Sequence, residues 1–297
     1  MHTVVISGAS QGLGRALAEL LHAQGASLVL LARSKAVLDE IAAQHNANVK
    51  ANPNSKDNQF TLAYPIDLTD AAASEQLAHD LTARGIVPDT LICCAGSSTP
   101  KLFTDLTIKE LDAGIDTNYK TTVYLVHALL PLLTTNSSST LVITSSTVAF
   151  YPVPGYGQYS PLKTALRALA DTLAMELHPQ GVNVHAFFPG NFASEGYAIE
   201  NTTKPEITSI IEGPSTPITP TECAQKLLNG INRGEAYIHT DIVGWLLASF
   251  SLGLSPRCWW PLIPLQMLAA VLGVIIGRFV ALFHRSQVDA HFRQHKQ

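Results

Sequence analysis

The chain is poor in charge. Only 14% of its 297 residues are Asp, Glu, Lys or Arg, against roughly 25% in an average globular chain. Its 19 basic and 23 acidic side chains leave a net charge of −4. No cationic excess is available to neutralise a phosphate backbone, which argues against nucleic acid as a partner. Cysteine is scarce too: Cys93, Cys94, Cys223 and Cys258 are all there are. Four in a chain this long do not make a disulfide scaffold, and the adjacent pair falls in an apolar run, as buried thiols do. That suits a reducing compartment. There is no Cys-x-x-Cys and no His-Glu-x-x-His, so no metal site is expected. The eleven His are scattered and are expected on the surface or at helix ends. An apolar strand starts at Thr3 with no apolar leader ahead of it, so no secretory signal is expected.

What the chain has is apolar substance: 46% of residues are hydrophobic and the mean hydropathy is +0.17. Disorder is excluded, and part of the chain is expected to sit in lipid. Residues 1–240 alternate between two periods. Short β-branched or apolar runs at 3–7, 27–32, 60–66, 90–95, 140–145, 183–188 and 236–239 read as strands. Patterns of helical period occupy 13–24, 36–44, 71–84, 108–133, 159–177 and 220–232. Strand and helix in alternation predict an α/β fold, a doubly wound parallel sheet with helices on both faces. The polar stretch 46–59 predicts a solvated loop.

Composition changes near residue 240, so 1–240 is expected to form the catalytic domain and 241–297 a membrane-associated region. Residues 242–254 carry no charge; Ser255, Pro256 and Arg257 interrupt; 259–277 again carry none, and Arg278 follows. A spanning helix needs about 20 apolar residues, so the second stretch is long enough and the first is not. Pro261 and Pro264 weaken its start, while Trp259 and Trp260 suit the headgroup zone. Arg285, Arg293 and Lys296 favour a cytosolic C-terminus. Gly273 and Gly277 form a GxxxG pattern able to pack helices in lipid. The competing reading is a hydrophobic helix pair covered by a second copy.

The first strand runs directly into Gly8, Ala9, Ser10, Gln11, Gly12, Leu13 and Gly14, and a helix follows. Gly8 permits the sharp turn, Gly12 lets backbone approach a pyrophosphate, and Gly14 allows close helix–strand packing. The helix N-terminus then offers free N–H groups to the anion. Residues 8–12 also spell Gly-x-Ser-x-Gly, the nucleophile elbow of serine hydrolases. That reading needs a downstream acid and His, and no pair stands out. Ser10 is therefore expected to act as a turn or phosphate hydroxyl. The second strand ends at Arg33, with Lys35 two residues on, where an NAD site would place an acid. An Arg there accommodates a 2′-phosphate, so NADPH is the expected cofactor.

Tyr159 and Lys163 are separated by four and share one helix face. A fixed ammonium beside the phenol is expected to lower the Tyr159 pKa toward the working range. Ser146 stands 13 residues earlier, at the end of the fifth strand. Together these residues resemble the short-chain dehydrogenase/reductase family over 1–239. Asn118 matches the fourth catalytic residue of that family. Asp67 and Leu68 match the pair that holds adenine, and Pro189 and Gly190 the turn beside the nicotinamide. Cys94, Ala95 and Gly96 match its Asn-Ala-Gly motif with Cys in place of Asn.

A narrower resemblance, to the family's reductases of long-chain sphingoid ketones, rests on the apolar C-terminus and on several segments. These are the phosphate loop, residues 93–96 with 159–163, and the run Lys204, Pro205, Glu206, Ile207, Thr208 with Ile211, Glu212 and Gly213. It implies reduction of a sphingoid ketone by NADPH, with Ser146 and Tyr159 on the ketone oxygen and Lys163 on the ribose. Asn118 would link Lys163 to solvent. It further implies contact with membrane lipid at the endoplasmic reticulum, a catalytic domain facing the cytosol, and pairing of copies into a homo-oligomer. On that side the acceptors at Asn136 and Asn201 stay bare. A steroid or retinoid ketone, and a non-catalytic nucleotide-binding scaffold, are the alternatives.

Overall fold

The computed structural model describes residues 3–49, 52–55, 58–251 and 263–294. Expectations placed on residues 255–257, Cys258, Trp259, Trp260, Pro261 and Lys296 lie outside them. The first half runs β1 (Thr3–Ser7), α1 (Gly12–Ala23), β2 (Ser27–Ala32), α2 (Lys35–Asn48), β3 (Thr61–Pro65), α3 (Ala71–Ala83), β4 (Thr90–Cys93), α4 (Ile108–Ile115) and α5 (Thr121–Leu133). The second half runs β5 (Ser139–Thr144), α6 (Ser160–Leu177), β6 (Val182–Phe188), α7 (Glu195–Thr203), α8 (Glu206–Glu212), α9 (Pro220–Asn232), β7 (Tyr237–His239), α10 (Ile242–Phe250) and α11 (Ile263–Gln294).

The seven strands pair in parallel in the order β3-β2-β1-β4-β5-β6-β7. Both faces are covered because both faces are apolar. On one side Val5, Leu91 and Leu141 pack under Leu77 of α3, Leu125 and Leu129 of α5 and Leu166 of α6. On the other, Val4, Ile6 and Ile92 pack under Leu17 of α1, Leu38 of α2 and Leu227 of α9. Alternate residues of one strand thus feed opposite layers, as the pleat requires. Each such side chain contributes about 1.5–3 kcal/mol by leaving water.

Four expectations need correction. The helix expected over 108–133 is interrupted by a π-helical turn, Asp116–Lys120. There the Asn118 side chain donates to the Gly114 carbonyl at 3.2 Å, the acceptor an α ladder would give to the Asn118 backbone N–H. The fourth strand ends at Cys93 rather than 95. Helices α7 and α8, both short, were not expected from periodicity; Ser194 caps the first by accepting from the Tyr197 N–H. The histidines are not all at the surface or at helix ends: His185 lies in β6 and is buried, whereas His22 and His45 stand in the last turns of α1 and α2 as expected, buried with rings stacked 4.2 Å apart.

Candidate active site

The strand order reverses between β1 and β4, and the crevice at such a point lies beyond the carboxyl ends of the strands. A cavity of about 1210 Å³ opens there. All seven strand ends reach it: Gly8 after β1, Arg33 after β2, Asp67 and Leu68 after β3, Cys94, Ala95 and Gly96 after β4, Ser146 after β5, Pro189 and Gly190 after β6, and Thr240 after β7.

The glycine loop has the geometry its spacing implies. Gly8 and Gly12 have φ of +68° and +52°, which other residues rarely adopt. A Cβ on Gly14 would stand 2.3 Å from the Gly8 carbonyl oxygen, so the helix enters at backbone contact. No side chain caps α1, and its first turn holds no acid; the first amides of a helix have no internal acceptor. Ser10 and Gln11 line the cavity beside them. Ser10 has no hydrogen bond to a His or a carboxylate among the described residues, so the hydrolase elbow has no catalytic partners.

Arg33 and Lys35 part company. Arg33 lines the cavity and lies near Asp67, whose carboxyl is held below its ordinary range. The larger causes are hydrogen bonds from the Thr69 N–H and hydroxyl, at 3.0 and 2.7 Å. Lys35 is absent from the cavity lining; its ammonium pairs with Asp39 one helical turn on, at 2.5 Å.

The Cys94 substitution is compensated. The Ser7 hydroxyl accepts from the backbone N–H of both Cys94 and Ala95, at 3.0 and 3.1 Å, and pins the turn from β1. Burial pushes the Cys94 thiol up to about 12, which keeps it protonated and inert.

Ser146 caps a short turn after β5 by accepting from the Val148 N–H at 3.4 Å. Tyr159 stands immediately before α6, and the Ser145 hydroxyl ties the Lys163 carbonyl at 2.7 Å. This holds the first turn of α6 against the end of β5, so phenol and ammonium face the cavity together. The Lys163 Nζ donates to the Thr144 carbonyl at 3.2 Å and lies 5.3 Å from the Tyr159 ring centroid. Burial lowers Lys163 to about 8. The expectation of a lowered Tyr159 is corrected here. Burial raises the phenol above its ordinary value, the charge of Glu200 adds to the rise, and a hydrogen bond with Ser146 opposes it. Desolvation outweighs that hydrogen bond.

Asn118 lies behind this pair. It is fully buried and is not among the cavity-lining residues. Its Oδ1 accepts from the Ser97 N–H at 3.1 Å and its amide donates to Gly114.

Sequence reasoning reached the far half of the cavity only in part: Tyr151 and Tyr156, which their place in the chain puts near the site and able to line a substrate entry, do line it, while Glu200 and the walls from α10 and α11 were not foreseen. Tyr156, Glu200 and Glu212 line it beside Tyr159. Val243, Leu247 and Phe250 of α10, and Gly273, Gly277, Val280 and His284 of α11, extend the wall. A Cβ on Gly273 would stand 2.5 Å from the Phe250 ring, so this glycine packs two helices of one chain. His284 Nδ1 is hydrogen bonded to the Tyr151 hydroxyl at 2.8 Å. The partners of these contacts lie far apart in the chain. Beyond the two tyrosines, only the Ser194 cap and the run from Lys204 to Gly213 offered a sequence signal.

Residues 2–204 match the model of a family described as short chain dehydrogenase. The 3-ketodihydrosphingosine reductase TSC10 of Debaryomyces hansenii is 41% identical over 266 residues, covering 86% of this chain and 79% of the relative. That of Saccharomyces cerevisiae is 35% identical over 289 residues, covering 92% and 89%. Among solved structures, a short-chain dehydrogenase from Sphingobium yanoikuyae in complex with NADPH superposes with a TM-score of 0.69 at 25% identity. That match covers 82% of this chain and 88% of the other. The chain therefore belongs to the short-chain dehydrogenase family and, within it, to the 3-ketodihydrosphingosine reductases.

Proposed function

We propose that this protein reduces the carbonyl of 3-ketodihydrosphingosine to dihydrosphingosine, with NADPH as the reductant. One observation carries the reading: the Ser146, Tyr159 and Lys163 constellation and the glycine loop share a single cavity with an apolar wall built from α10 and α11. The names of the relatives and the NADPH complex of the structural neighbour support the same assignment.

The residues present fit the cofactor. The cradle formed by Gly8, Gly12 and Gly14 would be filled by any Cβ or strained by it, and Arg33 stands where a 2′-phosphate needs a cation. Gly8, Ser10, Gln11, Gly12, Gly14, Arg33, Asp67, Leu68, Ala95, Gly96, Tyr159, Lys163, Pro189 and Gly190 would hold NADPH. When bound, NADPH supplies the hydride that reaches the carbonyl carbon. The Ser146 hydroxyl donates to the ketone oxygen, and Tyr159 gives its proton to the alkoxide that develops there. Lys163, protonated below about 8, stabilises the phenolate left behind. Asn118 holds the turn at Ser97, and its place in the return path of the proton is carried over from the family. Acid catalysis of this kind contributes about 10²–10⁴-fold.

Residues 241–297 attach the protein to membrane. The described part includes one helix, α11, long and apolar enough to cross a bilayer. Its Gly273, Gly277 and His284 face the cavity. Val271, Val274, Ile275, Phe279 and Leu282 project elsewhere and are exposed. The occupant of that apolar face is the bilayer. A sphingoid chain gains ~0.8 kcal/mol per buried CH₂ and partitions there, so an apolar cavity wall continuous with a lipid-facing helix receives it without passage through water. The endoplasmic reticulum, with the catalytic domain toward cytosolic NADPH, is the address this reading implies.

The test is NADPH oxidation by the purified protein in detergent, with 3-ketodihydrosphingosine compared with a steroid ketone. Selective turnover of the sphingoid ketone is expected, lost in Tyr159→Phe while NADPH binding persists. A Tyr159→Phe enzyme within tenfold of wild type would overturn the mechanism.

A further inference from the structure

Beside Tyr159 the cavity holds a group of charges that the reduction itself does not use. The Tyr156 hydroxyl lies 2.5 Å from Glu200 Oε1 and 2.7 Å from Glu212 Oε1. Lys204 Nζ bridges the same two residues, 3.1 Å from Glu200 Oε1 and 2.8 Å from Glu212 Oε2. The side chains are 5% exposed for Lys204, 16% for Glu200 and 21% for Glu212. Both carboxylates line the cavity, and the Tyr156 and Tyr159 ring centroids are 5.9 Å apart.

The group does not balance. Tyr156 has one proton to give and two carboxylate oxygens within reach of it. Glu200 Oε2 receives no hydrogen bond among the described residues. Two carboxylates face one ammonium, so one negative charge is uncompensated in a place largely withdrawn from water. Such a charge is costly unless a cation meets it. An internal brace between α7 and α8 would need one acid for one lysine; this site has a second acid, turned to the cavity.

We infer that Glu200, supported by Glu212, Lys204 and Tyr156, binds the ammonium group of the substrate. The inference rests on the proposed reduction of a sphingoid ketone. In that substrate the ammonium sits on the carbon adjacent to the carbonyl. A ketone oxygen at Tyr159 therefore brings a cation with several N–H donors into the region of Glu200, and supplies the missing charge and the missing protons. The position also serves the chemistry. The Glu200 charge holds the Tyr159 phenol up, which opposes the phenolate that proton transfer leaves. An ammonium seated on Glu200 cancels that opposition. The preference for an amino ketone then enters the rate as well as binding.

The experiment compares kcat/KM of the full chain in detergent, with NADPH, for 3-ketodihydrosphingosine and for 1-hydroxyoctadecan-3-one, in which hydrogen replaces the amine. Wild type is expected to favour the amino ketone by about 10- to 100-fold, the range of one or two charge-assisted hydrogen bonds. Glu200→Gln, an isostere that keeps the Tyr156 contact, is expected to cut that ratio about tenfold or more; NADPH binding by fluorescence checks that it is folded. A wild type that reduces both ketones equally, or a Glu200→Gln variant that loses activity on both alike with the ratio intact, overturns the inference and leaves the reductase reading standing. A wild type that reduces neither ketone overturns both.

Discussion

Gly96 lies between the Asn118 amide oxygen and the Lys163 ammonium: a Cβ at this position would stand 3.0 Å from Asn118 Oδ1 and 3.3 Å from Lys163 Nζ. The glycine after β4 thus joins the buried π-helical turn to the catalytic lysine. Asn118 holds the same backbone through the Ser97 N–H. Gly96→Ala is expected to displace one partner by a few tenths of an ångström. A fall in kcat of up to about tenfold follows, since a misplacement of about 1 Å at a reacting centre costs about 100-fold. Steady-state kinetics beside a melting curve will check it; a kcat within twofold of wild type would show that the contact relaxes freely.

Arg33 and Lys35 were both expected to meet the cofactor, and in the structure only Arg33 lines the cavity. Arg33→Ala is expected to lower kcat/KM for NADPH by about 10- to 100-fold, as loss of a charge-assisted phosphate contact does, and to leave NADH nearly unaffected. Lys35→Ala is expected to move either value by less than about threefold, because its exposed pair with Asp39 is worth little. Equal effects of the two substitutions would refute the assignment.

The stacked pair His22 and His45 makes stability depend on pH. Burial, with the nearby His22, lowers His45 from 6.5 to about 4, and burial lowers His22 as well. Between pH 6.5 and 4 the unfolded chain binds protons that the folded chain does not. Stability present above pH 6.5 is therefore lost as pH falls through that window. Thermal melts from pH 7.5 to 4 will show the decline. His45→Phe, which keeps a stacked ring, is expected to flatten it; an unchanged slope would assign the decline to other groups.

The exposed face of α11 gives the membrane reading its test. Val274 and Phe279 are 70% and 69% exposed and do not line the cavity. Val274→Glu combined with Phe279→Glu is expected to shift the protein from phosphatidylcholine vesicles to the supernatant, because a charge in hydrocarbon costs about 2.5–3.5 kcal/mol. Turnover of a detergent-dispersed substrate is expected to stay within about twofold, far below the effect of any lost catalytic group. Vesicle binding equal to wild type would place that face elsewhere.

Much of the active centre was legible because its signals are local. Three glycines impose the loop through backbone angles and a helix–strand contact that only glycine tolerates. The four-residue step from Tyr159 to Lys163 sets one helix face. Runs of β-branched residues between helical periods predict the parallel sheet, and the sheet places all loop ends together. These features depend on φ, ψ and side-chain period within a few residues, and they hold wherever the chain folds this way.

Other features were decided by tertiary structure alone. Tyr156 meets Glu200 and Glu212 across 44 and 56 residues, and Tyr151 meets His284 across 133. No local pattern records such pairings. Whether Lys35 reaches a phosphate or Asp39, whether Asn118 faces the cavity or the backbone, and whether a phenol is raised or lowered all depend on what burial removes from water. The sequence by itself determined the sheet, the phosphate loop and the Ser146, Tyr159 and Lys163 set, because each follows from short-range geometry. Only packing decided the charge beside them and the apolar wall beyond, because desolvation and long-range contact exist only once distant segments meet.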